Sequence, residues 1–468
     1  MFATFASAFK LSKMKKYDVI IVGAGPAGII TGTTAKKNNP GKSMLMIREE
    51  DRGLVPCGIP YIFHKLGDVE KNKMGPKPFI DAGGEVITDP LTALDTDKKK
   101  ITLKSGEEFE YGKLVLATGS LPIVPKFIPG HDLKNVYYIK KSYRYIEELF
   151  NTLKLMHKIV IVGGGFIGAE MAEQLAMEPG KEVSLVEMED QCFTRAFSPE
   201  LSEIATEELR KTNVKVYTST KVEKIDGKEG KVEKVLLDNG RELQADAVIM
   251  AIGYKPNNEV AEKAGLQLNK MGGIVVDNYE RTSVKDVCAV GDCSQTIGFL
   301  TGNLDNIMLA STATAEARVL GHNLFGIKIK KCFVGTLAVF STEINHVAMA
   351  AAGVNDSNAA EANIEFISAK FTDVDKHPGT FENTKALTVK LYVSPSDGHI
   401  LGGEVWGSPS AGEIINTISL AIQKGVTVYE LIALQIGTHP LLTAAPTKAV
   451  MIKAAEMAIA KIKAKAKA

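Results

Sequence analysis

Two stretches of this chain repeat one device, and together they leave few folds open. Tyr17–Val22 is a short apolar run followed at once by Gly23-x-Gly25-x-x-Gly28, after which Ile29–Lys37 reads as a helix. Lys158–Val162 is followed by Gly163-x-Gly165-x-x-Gly168, with a helix running to about Met177. Short apolar runs stopped by glycine read as buried parallel strands. The glycines let backbone approach a pyrophosphate, and the helix offers its first N–H groups and the positive end of its dipole. Strand, glycine turn and helix, met twice in that order, predict an α/β fold with two Rossmann-like dinucleotide-binding units.

Each unit should carry an acid at the end of its second strand, where it binds ribose. In the later unit Val183–Val186 ends at Glu187, 24 residues after Gly163. Met188, Glu189 and Asp190 follow it, with no arginine to accept a 2′-phosphate. This favours NADH over NADPH. In the earlier unit Met44–Ile47 is followed by Arg48, so the acid is displaced by one residue to Glu49. Two units imply two dinucleotides, one a bound carrier and the other an exchanging substrate.

Other pieces fall around these units. Leu114–Ser120 reads as a strand ending in Ala117-Thr118-Gly119, and Pro122, Pro125 and Pro129 punctuate a linker. A strand over 245–253 ends at Gly253, and Gly291-Asp292 closes another strand, where polar ligands collect in open α/β sheets. Arg52-Gly-Leu-Val-Pro-Cys57-Gly-Ile-Pro-Tyr61 sets one cysteine among turn formers, 34 residues after Gly23. Pro60 suits the first turn of a helix. Cys57 is therefore expected at a helix start, where the dipole lowers a thiol pKa. A buried cysteine acting as a small hydrophobe is the alternative reading of that residue.

The net charge of +1 provides no field for nucleic acid or an acidic membrane surface. No apolar run reaches the roughly 18 residues needed to span a bilayer. Five irregularly spaced cysteines make no disulfide framework, so a cytoplasmic protein is expected. Met1–Lys13 lacks acids, and Met14 is a natural start, so a frame extension or a cloning scar is expected there, with a transit peptide as the alternative reading.

Taken in order, Gly23-x-Gly25-x-x-Gly28, Cys57, Ala117-Thr118-Gly119, Gly163-x-Gly165-x-x-Gly168, Ala251-x-Gly253 and Gly291-Asp292 resemble the pyridine nucleotide–disulfide oxidoreductases, from residue 15 to about 460. The resemblance implies FAD on the first unit, with Asp292 on the ribityl chain, and NAD(P)H on the second. It also implies a C-terminal α+β domain that forms a homodimer and completes the active site. The expected domains are 14–124 with 277–330 for FAD, 125–276 for NAD(H), and 331–461 for dimerisation. The family carries a histidine–proline where His439-Pro440 stands, aimed into the partner subunit's flavin site, which makes His439 a candidate acid or base. Its usual glutamate partner is missing from Leu441–Ala445, leaving the ring without an orienting group.

Members that use two cysteines carry them with four residues between, but here residue 52 is arginine and residue 62 isoleucine. Cys288 and Cys293 have that spacing but flank the Gly291-Asp292 turn, and are read as a core residue and a neighbour of the flavin site. Cys57 thus stands alone, and its loop, with Tyr61 as a substrate contact, resembles the single-cysteine subgroup. That subgroup includes coenzyme A–disulfide reductases, persulfide or polysulfide reductases, NADH oxidases and NADH peroxidases. It implies hydride transfer from NADH to FAD and then reduction of a small-molecule sulfur species on Cys57. Pro26 occupies the place of a histidine found in peroxidases and many oxidases. Lys36 and Lys37 stand where coenzyme A–disulfide reductases carry paired basic residues, which suggests coenzyme A as a ligand. A helix C-terminus that favours cations explains the same pair. An NADH oxidase, or an electron-transfer flavoprotein serving a protein partner, are the alternative readings.

Overall fold

The computed structural model describes residues 14–360 and 362–467, and the reading of Met1–Lys13 lies outside them. Strand β1 (Lys15–Val22) feeds α1 (Pro26–Asn38), and the chain returns through β2 (Met44–Arg48). Strand β3 (Glu108–Leu116) lies on the other side of β1. All three run parallel, with Val22 opposite both Ile47 and Leu116. Ile20, Ile21, Leu45 and Leu114 are fully buried, which is why these strands read as unbroken apolar runs. Helix α1 begins at Pro26 rather than Ile29, because proline has no N–H to leave unpaired in a first turn. Its start lies at the carboxyl ends of β1 and β3, the crevice in which open parallel sheets bind ligands.

The chain leaves this unit through Ser120–Pro122 and builds a second one. It contains α2 (Tyr143–Leu153), β4 (Lys158–Val162), α3 (Phe166–Ala176), β5 (Glu182–Val186), α4 (Pro199–Arg210) and β6 (Ala247–Met250). The sheet order is Val136–Tyr138, β6, β4, β5, Val214–Tyr217, parallel throughout. The strand expected over 245–253 is shorter, since Gly253 turns at φ +112°. Tyr254–Pro256 then pairs antiparallel with Ser120–Pro122, so the two passages between the units form one ribbon.

Strand β7 (Val287–Ala289) returns to the first sheet beside β3, and α5 (Ala310–Asn323) packs on α1. The last unit is a five-stranded antiparallel sheet of β8 (Phe340–Ile344), β9 (Val347–Gly353), β10 (Ile367–Val374), β11 (Ala386–Val393) and β12 (Ile400–Gly407). Its spatial order is β8-β9-β12-β11-β10, and α6 (Ala411–Lys424) and α7 (Val450–Lys465) pack against it through one apolar cluster. The architecture is the expected one: two dinucleotide-binding sheets and a C-terminal α+β unit. Among the described residues no helix is long and apolar enough to cross a membrane.

Candidate active site

The two glycine turns close in the same way. A Cβ on Gly28 would overlap the carbonyl of Gly23, and one on Gly168 that of Gly163. Gly23 and Gly163 hold φ near +115° and +109° with the carbonyls of Ala117 and Ala251 against them. Gly25 and Gly165 face open space as N-caps of α1 and α3, and no side chain caps either helix. Room, backbone donors and an uncapped dipole fit a pyrophosphate at each turn. Glu187 closes the second cradle, its Oε2 accepting the Gly164 N–H and its Oε1 the Glu189 N–H at 2.8 Å. In the first unit Glu50 accepts the Ser142 hydroxyl and, at 3.3 Å, the Arg144 N–H. Glu49 is exposed just past β2, the position a ribose contact needs. Thr118 donates to the Asn257 carbonyl at 2.6 Å and the Gly119 carbonyl accepts the Asn257 N–H at 2.9 Å, so Ala117–Gly119 is tied to the ribbon between the units.

Asp292 sits beside the first cradle. Gly291 turns at φ +78° where a Cβ would crowd that of Ala27, and its N–H is accepted by Glu316 of α5 at 2.9 Å. Burial holds the Glu316 carboxyl well above the usual carboxylate range. Asp292 Oδ2 accepts from the Ser120 hydroxyl and the Lys141 ammonium, each at 2.7 Å. That ammonium also donates to Ser120 Oγ at 2.7 Å and lies 4.9 Å from the Tyr254 ring centroid. The motifs pointed to Asp292 but not to Lys141, Ser120 or Glu316. Those three belong to no fingerprint: Ser120 comes in on the ribbon between the units, Glu316 on α5, and Lys141 from the loop before α2.

The loop around Cys57 departs from expectation. Two 3₁₀ turns, Pro56–Gly58 and Pro60–Phe63, replace the expected helix start, and Cys57 lies inside the first. Turns of three and four residues carry little aligned dipole. Burial is the largest influence on the thiol and pushes it up, and the Glu170 carboxylate adds to this. Lys141 pulls it down, and Asp292 pushes it up again. The expected lowering of the thiol is therefore corrected, although the residue keeps a solvent-exposed surface. The loop is rigidly mounted. Asn72 exchanges hydrogen bonds of 3.0 Å with Val55, and its Oδ1 lies where a Cβ on Gly58 would fall. Ile59, Ile62 and Phe63 are buried against α2 and α3. Arg52 pairs with Glu70 at 3.0 Å and stacks 5.1 Å from the Tyr143 ring, so it anchors the loop. Cys192, Cys288 and Cys293 are buried, and Cys293 donates weakly to the Leu116 carbonyl at 3.4 Å. Among the described residues no cluster of histidine, cysteine or acid could hold a metal.

Four further candidates divide. Lys36 is 8% exposed, and its ammonium donates to the carbonyls of Pro40 and Lys42 at 2.9 and 2.7 Å. It ties the turn after α1, so its assignment to substrate is corrected: the helix end holds it. Lys37 is exposed. His439 is exposed in a turn, and its Nδ1 accepts the Leu441 N–H at 3.2 Å. The ring is thus oriented by backbone instead of the missing glutamate, and the neutral imidazole carries its proton on Nε2. Burial pushes the Tyr61 phenol up, and the nearby Glu170 carboxylate adds to this, a neighbour the motifs did not announce.

Residues 17–317 match the family model for pyridine nucleotide-disulphide oxidoreductases, and residues 339–450 match the dimerisation domain of the same family. The chain is 33% identical to an NADH oxidase of Methanocaldococcus jannaschii, over 88% of this chain and 92% of that one. It is 30% identical to an NAD(P)H coenzyme A polysulfide/persulfide reductase of Pyrococcus horikoshii, again over 88% and 92%. Among solved structures it is similar to a NAD-dependent persulfide reductase from A. fulgidus, with a TM-score of 0.87 and 29% identity, covering 95% of this chain and 84% of that one.

Proposed function

Because this chain belongs to the pyridine nucleotide-disulphide oxidoreductases and is an NAD(P)H-dependent flavoprotein oxidoreductase, we propose that it uses NADH and FAD to reduce a sulfur substrate on Cys57. The substrate class is coenzyme A disulfide, coenzyme A persulfide or polysulfide. One observation carries this reading. Cys57 is the one exposed cysteine among the described residues, though its thiol is partly desolvated, and Glu170 of the second unit, Lys141 and Asp292 all act on it. The coenzyme A and persulfide relatives support the choice of sulfur.

Bound FAD supplies a carrier that accepts a hydride equivalent and releases an electron pair towards sulfur. The protein's own residues do the rest. Gly23, Gly25, Gly28 and the start of α1 hold the FAD pyrophosphate, Glu49 the ribose, Ala117–Gly119 the floor and Asp292 the polyol chain. Gly163, Gly165, Gly168, Gly253 and Glu187 hold NADH, with Glu187 on the ribose hydroxyls. Cys57 holds the substrate sulfur, Tyr61 and Lys37 line its approach, and His439 of a second copy donates a proton from Nε2 to the departing thiolate. A homodimer fits the surface, since Leu420, Leu441 and Leu442 are exposed on the unit that carries His439. We assign 14–124 with 277–330 to FAD, 125–276 to NAD(H) and 331–461 to the dimer.

A second reading, reduction of oxygen, is favoured by the M. jannaschii relative. Anaerobic NADH consumption with coenzyme A disulfide, coenzyme A persulfide and polysulfide, and with oxygen supplied separately, separates the two. Turnover with a sulfur acceptor is expected. Turnover with oxygen alone replaces the reading by the second.

A further inference from the structure

The first cradle carries an acid where it must also hold an anion. Asp292 follows Gly291, where a Cβ would crowd Ala27 in the first turn of α1. That turn has no acid and no side-chain cap, which suits a pyrophosphate. Glu316 is pushed up by burial and keeps its proton near neutral pH, so the negative charge there is that of Asp292. The Lys141 ammonium meets this charge, 2.7 Å from both Asp292 Oδ2 and Ser120 Oγ. It is delivered by a segment of the second unit that is pinned on both sides. Before it, the Ile139 carbonyl accepts the Tyr254 hydroxyl at 2.6 Å, and the Tyr254 ring centroid lies 4.9 Å from the ammonium. After it, Ser142 caps α2 and donates its hydroxyl to Glu50 of the first unit. The Asp292 side chain is largely buried, so water screens the pair only in part.

On the reading that FAD occupies this cradle, we propose that Lys141 is a positioning residue for FAD, which cancels the charge of Asp292 so that the carboxylate can stand beside an anionic pyrophosphate. Ser120 and Lys141 both donate to Oδ2, which leaves Oδ1 to accept a ribityl hydroxyl. Carboxylate and ammonium together are neutral. Without the ammonium the same carboxylate would repel the pyrophosphate while it binds the ribityl chain. The attraction between Lys141 and Asp292 is present with and without FAD, so it cancels from the affinity. The repulsion that it masks does not cancel. Lys141 acts through Asp292 and needs no contact with FAD. Its neighbour Lys140 is exposed, lies 4.9 Å from the Tyr145 ring centroid and forms no ion pair with Asp292 among the described residues.

Release of FAD from the diluted holoenzyme at low salt, followed by flavin fluorescence, reads this without turnover. Lys141→Gln keeps a donor towards Asp292 and removes the charge. It should release FAD about tenfold faster than wild type, since differences in affinity appear mostly in the off-rate. Lys141→Arg, which keeps the charge, and Lys140→Gln should both stay within about twofold of wild type. In an Asp292→Asn background, Lys141→Gln should change the rate by less than about twofold, because no charge is left to cancel. That comparison decides the matter alone if Lys141→Gln by itself does not fold. A Lys141→Gln rate equal to wild type overturns the inference while leaving FAD in its cradle. An equal acceleration in both backgrounds also overturns it, because Lys141 would then contact FAD directly. A wild-type protein that neither carries nor takes up FAD removes the cofactor reading and the inference together.

Discussion

Lys141 is the residue whose removal the structure prices most clearly. Its ammonium lies 2.7 Å from Asp292, with the two side chains 28% and 13% exposed. Breaking a fully buried ion pair costs about 3–5 kcal/mol, because one charge is left without a partner. The partial exposure of Lys141 reduces this, and we expect Lys141→Met to cost about 2 kcal/mol. Asp292→Asn should cost less, since its amide oxygen still accepts from Ser120 and Lys141 can turn towards water. The double variant should then lie about 1–2 kcal/mol above the sum of the singles, because neither charge is left alone. Urea unfolding of the four proteins, followed by circular dichroism at equal concentration, measures the cycle. The domains need not unfold together, so the comparison uses the transition that Asp292→Asn itself moves. Effects additive within about 0.5 kcal/mol would show that the pair is not energetically coupled and that the carboxylate does not depend on Lys141.

Three shorter predictions follow from the same geometry. Glu187→Ala should narrow the preference of kcat/KM for NADH over NADPH by at least about tenfold, since a carboxylate facing a 2′-phosphate costs about 1.4 kcal/mol or more; an unchanged ratio refutes the ribose assignment. Lys37→Ala should raise KM for coenzyme A disulfide about threefold at low salt and have little effect at high salt, as expected for one exposed charge on phosphate; steady-state kinetics at two ionic strengths checks this. Glu170 binds its proton more tightly folded than unfolded, so the folded state holds more protons between the ordinary carboxylate range and about 7. Stability should therefore fall as pH rises through that window, by up to about 3 kcal/mol, and Glu170→Gln should flatten the decline in Tm.

Much of the fold could be read in the sequence because it rests on local signals. β1, β2, β4 and β5 are buried parallel strands, so their apolar runs are unbroken, and each glycine turn is needed for a close backbone approach. Glu187 stands where the period of the unit puts it. The sequence does not separate Glu49 from Glu50, whereas in the fold Glu49 is exposed and Glu50 is taken by Ser142 and Arg144, about ninety residues away. The error over Cys57 has a similar source. Pro60 suits either an α-helix or a 3₁₀ turn, and Asn72 and the core decide in favour of the turn. Lys36 and Lys37 look alike in sequence, and only the fold of the 40–42 turn separates a tethered cation from an exposed one. Lys141, Glu170 and Glu316 carry no motif. Each becomes part of the site through tertiary contacts, which a single sequence does not display.

The central claim is that electrons leave for the substrate through the sulfur of Cys57. Turnover of Cys57→Ser holoenzyme tests it most directly, with NADH as donor and a coenzyme A disulfide or persulfide as acceptor under anaerobic conditions. An artificial dye serves as the control acceptor. The variant should still reduce the dye from NADH and lose nearly all sulfur reduction, because a hydroxyl cannot take the place of the thiolate. Sulfur reduction at the wild-type rate in Cys57→Ser would contradict the account and place the chemistry at another group.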